Sequence, residues 1–346
     1  MRTLAIGTDK GGYLLRGTEG AWAVQGPLFP GWKVTAFGQA PDGTYLAGLA
    51  SNWFGASVHR SSDLEEWEQV AAGPAHPEGS DRKLNQIWVF STHQGSVYAG
   101  VDDAGLFRSE DNGLSWEPVE ALNEHPSRKS WFPGAGGMCA HSILHDGDRM
   151  WVGISAVGVF RSDDGGATFE RHDQGVKPTV TPEDFESGEV SENGWCVHGL
   201  VADPDQPDHI WRQDHRGVYR TGDGGENWEQ IEEGLPAGFG FAIGRDHASK
   251  SLFVVPLQAD ENRLPVGGRL AAYRSRDGGD RWERSGTGWP EAPQFTGVLR
   301  KAISLDQQGG VAFGTTGGTI YSSSDAGDRW EALPFAFPRV FAVADL

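Results

Sequence analysis

The sequence is poor in cysteine, with only Cys139 and Cys196 among 346 residues. That excludes a disulfide framework as the source of stability and fits a reducing compartment. Basic residues are also few, 29 Lys and Arg against 48 Asp and Glu, for a formal charge of -19. A surface of that sign repels nucleic acid and anionic membranes, and no basic stripe offsets it, so neither is expected as a partner. No apolar run approaches the roughly 18 to 20 residues needed to span a bilayer. The opening residues, MRTLAIGTDKGG, lack the long apolar segment and cleavage site of a secretory signal. These absences together set the expectation of a cytoplasmic protein.

What the chain has in quantity is 50 Gly, 19 Pro and 14 Trp. That composition suits many short strands joined by tight turns. One unit recurs: SEDNGLSW (Ser109 to Trp116), SDDGGATF (Ser162 to Phe169), TGDGGENW (Thr221 to Trp228), SRDGGDRW (Ser275 to Trp282) and SSDAGDRW (Ser323 to Trp330). A degenerate copy, SSDLEEW, ends at Trp67 and lacks the glycine. In each, the Asp carboxylate is suited to accept hydrogen bonds from the turn's own amides, and Gly supplies a left-handed conformation. The closing aromatic is suited to plug the space between neighbouring sheets.

Four strands surround each turn. In one unit CAHSILHD is the inner strand, RMWVGIS the second, GVFRS the third, and TFERH follows the turn. The same order recurs from Val34, Leu84, Trp195, Phe239 and Val298, giving six sheets. A seventh is split: RVFAVADL reads as an inner strand, and TLAIGT, GYLLRG and AWAVQ read as strands two to four. Joining the two ends closes a ring and removes exposed sheet edges. The expected fold is therefore an all-β, seven-bladed β-propeller, one domain over residues 1–346, with its last blade closed by N-terminal and C-terminal strands.

The turns match the Asp-box pattern, and the chain resembles the sialidase-like β-propeller superfamily, which includes glycosyl hydrolases, xyloglucanases, sortilin-type receptors and photosystem assembly factors. The resemblance implies boxes on one face and any active site on the other. It implies the scaffold far better than a reaction. A sialidase needs a tyrosine nucleophile, yet all six tyrosines occupy repeat positions in strands: Tyr13, Tyr45, Tyr98, Tyr219, Tyr273 and Tyr321. The Arg-Ile-Pro signature is absent as well. A standard sialidase mechanism is not expected.

On the face away from the boxes, the long connections 118–136, 172–194 and 257–269 are where a scaffold of this kind carries function. Trp32, Trp53, Trp88, Trp131, Trp195 and Trp289 map to that side, an aromatic wall suited to sugars or flat rings. The acids Glu183, Asp184, Glu186, Glu189 and Glu192 within 172–194 read as a solvated flap. GMCAHSI and GWCVHGL put the two cysteines at equivalent points of adjacent inner strands, each two residues before a histidine. Residues two apart share a strand face, so Cys139, His141, Cys196 and His198 form a candidate site for zinc, copper or iron. Without a metal, His141 and His198 are candidate proton-transfer residues.

Asp102, Asp103, Asp214 and Glu261 lie in loops that could face them, where a pair across the mouth could serve as glycosidic acid and base; Asp214 and Glu261 join His141 and His198 as candidate catalytic residues. Trp53, Trp88, Trp131, Trp195, Lys129, His215, Arg263, Arg300 and Lys301 complete the expected ligand-binding set, the cations receiving an anionic group. The expected function is binding of a small carbohydrate-like or carboxylated ligand at the mouth of the central channel, with hydrolase or lyase chemistry. The rivals are a non-catalytic scaffold gripping a protein partner and a metal-dependent enzyme using the Cys-His pairs.

Overall fold

The computed structural model describes residues 2–134, 136–179, 194–259 and 262–346. Their regular secondary structure is almost wholly β-strand. Among the described residues helix is confined to short pieces at Glu120–Asn123, Pro126–Ser130 and Val266–Gly268, and none is long and apolar enough to cross a membrane. The chain divides into two compact units.

One unit comprises Met1–Gly31, Gln174–Val176 and His198–Leu346. It holds two four-stranded sheets. The first runs Val197–Asp203, Gln206–Asp214, Gly217–Thr221 and Glu229–Gln230; the second runs Gly240–Arg245, Leu252–Pro256, Tyr273–Ser275 and Glu283–Arg284. An eight-stranded sheet combines Val298–Leu305, Val311–Thr315, Ile320–Ser323 and Glu331–Ala332 with Val340–Asp345, Arg2–Thr8, Gly11–Thr18 and Ala21–Leu28. Its two halves meet through a single parallel pair, Lys301 opposite Ala342. The ends of the chain lie side by side, with Ala5 opposite Ala344 and Arg2 donating to Asp345 at 2.6 Å. The expected junction of terminal strands is thus present.

The other unit comprises Trp32–Asp173 and Lys177–Val197 and holds three four-stranded sheets, beginning at Lys33, Gln86 and Ala140. Within each sheet the strands are antiparallel and follow one another in sequence.

The recurrent turn explains this regularity. Ser275 Oγ donates to Asp277 at 2.7 Å, the amide of Gly279 donates to Ser275 Oγ at 2.8 Å, and the amide of Arg281 to Asp277 at 3.0 Å. The same three contacts recur around Asp164, Asp223 and Asp325. Hydrogen bonds from the Thr168 side chain and amide and from Ser162 hold the Asp164 carboxyl at about 2. Gly279 has φ +103, where an L side chain is strained, and a Cβ there would lie 2.2 Å from Ile231 Cδ1 and have to displace it. Trp228, Trp282 and Trp330 close their turns at 5%, 2% and 4% exposure, so they are core.

Candidate functional site

The strand Gln206–Asp214 turns through His215 and Arg216 into Gly217–Thr221, with Asp214 opposite Gly217. Asp at the first position and Gly at the fourth suit a tight turn, and the amide of Arg216 donates to Asp214 Oδ1 at 3.2 Å. Gln213 Nε2 ties the turn to the carbonyls of Gly217 and Gly238, at 3.3 and 2.8 Å. These bonds fix His215 at the turn's tip.

His215 and His198, from the neighbouring strand of the same sheet, meet edge to face at 5.7 Å between ring centroids. His198 Nδ1 donates to the Gly240 carbonyl at 2.6 Å, which sets its tautomer. The rings of Phe239 and Phe241 complete the cluster, 5.5 and 4.7 Å from His198. Arg263 caps Phe239 and Phe241 at 5.9 and 5.5 Å, and Arg300 sits 5.0 Å from the centre of Phe241. Burial, reinforced by the guanidiniums of Arg263, Arg216 and Arg300, holds the His215 imidazole below the ordinary histidine value. Arg263 has φ +51, a left-handed conformation that a non-glycine residue adopts at some strain. Arg and His groups therefore converge on one apolar floor in a chain that is acidic overall.

Lys301 follows Arg300, opposite Ala342, and desolvation lowers its ammonium to about 8. Asp214 has a different part from the acid expected of it. Arg212 and Asp214 are both fully buried, and Arg212 Nε and Nη2 donate to Asp214 Oδ2 at 2.9 and 2.5 Å. A carboxylate clamped by its own guanidinium is a structural ion pair. Its expected partner in catalysis, Glu261, lies outside the described residues, as do Glu183, Asp184, Glu186, Glu189 and Glu192.

In the other unit, His141 makes contacts at both ring nitrogens, Nδ1 with Ser142 Oγ at 3.0 Å and Nε2 with the Val197 carbonyl at 2.8 Å. Cys139 is buried and its Sγ donates to the Gly136 carbonyl at 3.7 Å. The grouping of metal-ligand character among the described residues is Cys196, His198 and His215, without Cys139 or His141. Of the four residues read from the two Cys-x-His motifs, Cys196 and His198 fall in this grouping, while the His141 Nε2 is occupied by the Val197 carbonyl.

The tryptophans separate by role. Trp53 is 90% exposed at a hairpin tip beside Phe54 at 79%, and Trp32 lies 5.9 Å from Phe54. Trp131 is instead a core plug, 6% exposed under Arg128, with Nε1 donating to Ser127 at 2.9 Å. Trp195 lies beneath Arg171 at 4.4 Å, Trp88 lies 6.4 Å from His141, and Lys129 is exposed on a short helical turn.

Asp102, at the end of Ser96–Asp102, bridges to Cys139, and burial together with Asp103 raises its carboxyl to about 6. Phe239 and Phe241 carry no signal beyond the alternation in GFGFAIG, which places both on one strand face.

No family model and no curated protein matches the chain. Solved structures do resemble it. An ancestral GH74 enzyme superposes with TM-score 0.54 at 17% identity over 85% of this chain. The chain spans only 37% of that enzyme's length. YCF48 bound to D1 peptide matches with TM-score 0.54 at 13% identity, covering 88% of this chain and 85% of its own. Virginiamycin B lyase from Staphylococcus aureus matches with TM-score 0.56 at 12% identity, covering 88% and 85%. At these identities the likeness is one of fold, the β-propeller.

Proposed function

We propose that the chain is a seven-bladed Asp-box propeller that binds a small carboxylated ligand at the site of His198, His215, Arg263 and Arg300. The eight-stranded sheet counts as two blades because one parallel pair joins its halves, and the repeated Ser/Thr-x-Asp turns carry the box reading. The supporting observation for the ligand is the convergence of guanidiniums on the Phe239–Phe241 floor. Arginine matches a carboxylate in two-pronged geometry, and the apolar surround strengthens each contact by keeping water away. If a hydrolase or lyase step follows binding, His198 and His215 are its proton-transferring groups.

Calorimetric titration with a panel of small mono- and dicarboxylates tests this reading. Arg300→Ala and Arg263→Ala should each weaken the binding by about tenfold or more, the worth of one charge-assisted hydrogen bond. Binding that both variants leave intact refutes the assignment.

A second reading, a protein-interaction scaffold, is favoured by Trp53 and Phe54, large apolar side chains exposed together at 90% and 79%. The fold neighbour solved with a peptide is compatible with it. On this reading Trp53→Ala abolishes capture of an apolar peptide ligand selected from a displayed library, and Arg300→Ala does not.

A further inference from the structure

The stretch GWCVHGL puts Cys196 and His198 two residues apart at the entrance of one strand, so their side chains leave the same face. The neighbouring strand of that sheet, Gln206–Asp214, runs back antiparallel, and its turn returns His215 to the same entrance. Cys196 Sγ and one ring nitrogen from each histidine all lie within 4.8 Å of one another. Bonds of about 2.0–2.1 Å from nitrogen and about 2.3 Å from sulfur let one ion bridge such a span after small side-chain rotations.

The surroundings favour a metal over a chance cluster. His198 Nδ1 donates to the Gly240 carbonyl at 2.6 Å. A neutral imidazole that spends its N–H in this way presents Nε2 as a lone pair in a fixed direction, which is how ligating histidines are commonly held. Phe239 and Phe241 stand 5.5 and 4.7 Å from His198, and Phe239 stands 5.0 Å from His215. This apolar shell limits competition from water. His198 is buried, whereas Cys196 and His215 are half-buried and leave an entry path on their side.

The donor set selects the class of ion. Two imidazoles and a thiolate suit zinc, whereas calcium and magnesium require oxygen ligands. No carboxylate belongs to the grouping, and Asp214, adjacent to His215 in the chain, is held by Arg212 instead.

We propose that Cys196, His198 and His215 bind one zinc ion and leave its fourth position open. Cys196 binds as the thiolate, and its proton passes to solvent as the ion enters. The proposal deepens the carboxylate-site reading and rests on it in one respect only, that the ligand's carboxylate takes the open position. Thiolate and carboxylate together neutralise the dication, which matters beside the guanidiniums of Arg263 and Arg300.

Protein purified without an affinity tag, stripped with a chelator and titrated with Co²⁺ tests the proposal through the absorbance of the cobalt. A thiolate-to-cobalt charge-transfer band and the intense visible bands of a four-coordinate ion are expected, saturating at one equivalent and abolished by an equivalent of Zn²⁺. Cys196→Ser should remove the charge-transfer band. His215→Ala should weaken Co²⁺ binding about a hundredfold, at least the cost of losing an outer partner of a ligand. Cys139→Ser should change nothing. Melting curves of the metal-free variants separate loss of a ligand from loss of fold. Arg300→Ala should lower carboxylate affinity while leaving the cobalt spectrum of the ligand-free protein intact, so failure of the carboxylate reading and failure of the metal site appear separately. The proposal is overturned if no charge-transfer band forms, if the band survives Cys196→Ser, or if Cys139→Ser removes it as well.

Discussion

Replacing Asp214 by Asn decides between a structural and a chemical part for the best buried carboxylate near the histidine cluster. The substitution keeps shape and removes one charge. Arg212 would then stay fully buried with its guanidinium facing a neutral amide. It also lies 5.8 Å from the Trp228 ring. Breaking a buried pair by removing one partner costs about 3–5 kcal/mol. At about 2–4 °C per kcal/mol for a unit of this size, the melting temperature should fall by about 6–20 °C. Differential scanning calorimetry with urea unfolding measures both quantities. Replacing the pair together, Arg212→Met with Asp214→Leu, should recover most of the loss, because no uncompensated charge remains. The reasoning is refuted if Asp214→Asn melts within a degree or two of the parent, and it is refuted twice over if that variant also loses ligand turnover.

Two further outcomes follow from groups described above or beside them. His145 stacks on His93 at 4.5 Å, and burial, aided by His93, pushes it down to about 3. Between about 3 and the unfolded value of 6.5 the unfolded chain binds a proton that the folded chain does not, so stability falls as pH drops through that window, by up to about 1.4 kcal/mol per pH unit. Urea midpoints from pH 7 to 4 should decline less steeply in His145→Phe. For the metal reading, elemental analysis of protein purified without an affinity tag should find zinc, copper or iron near one equivalent, lost in Cys196→Ser and kept in Cys139→Ser; less than a tenth of an equivalent in the parent protein discards it.

The strands and turns were legible because their signals are local. Alternation along GVFRS and a Ser-x-Asp-x-Gly turn each act over a few residues, and neighbouring chain segments pair in order. The site was legible only in part. His198, His215, Arg263 and Arg300 were named from their positions in strands and loops, but the Phe239–Phe241 floor that gathers them depends on packing between sheets. Arg263's left-handed backbone has no sequence mark either. The Arg212–Asp214 clamp, by contrast, was readable: residues two apart on one strand share a face, so opposite charges at that spacing pair with each other before serving a ligand. The Cys139–His141 motif was legible in position but not in its contacts. An equivalent repeat position fixes where a side chain starts and leaves open which backbone group it meets.

The placement of Arg2–Thr8 between Val340–Asp345 and Gly11–Thr18 has a consequence for biosynthesis. That strand, made long before its partner, keeps one row of amides and carbonyls unmatched until the segment numbered 340–345 arrives. Contacts separated by most of the chain are slow to form, and an open row of that kind invites pairing with another nascent chain. Translation speed across the final segment, and the protein concentration at which refolding is attempted, should therefore govern the yield of native protein more than the strength of any single sheet.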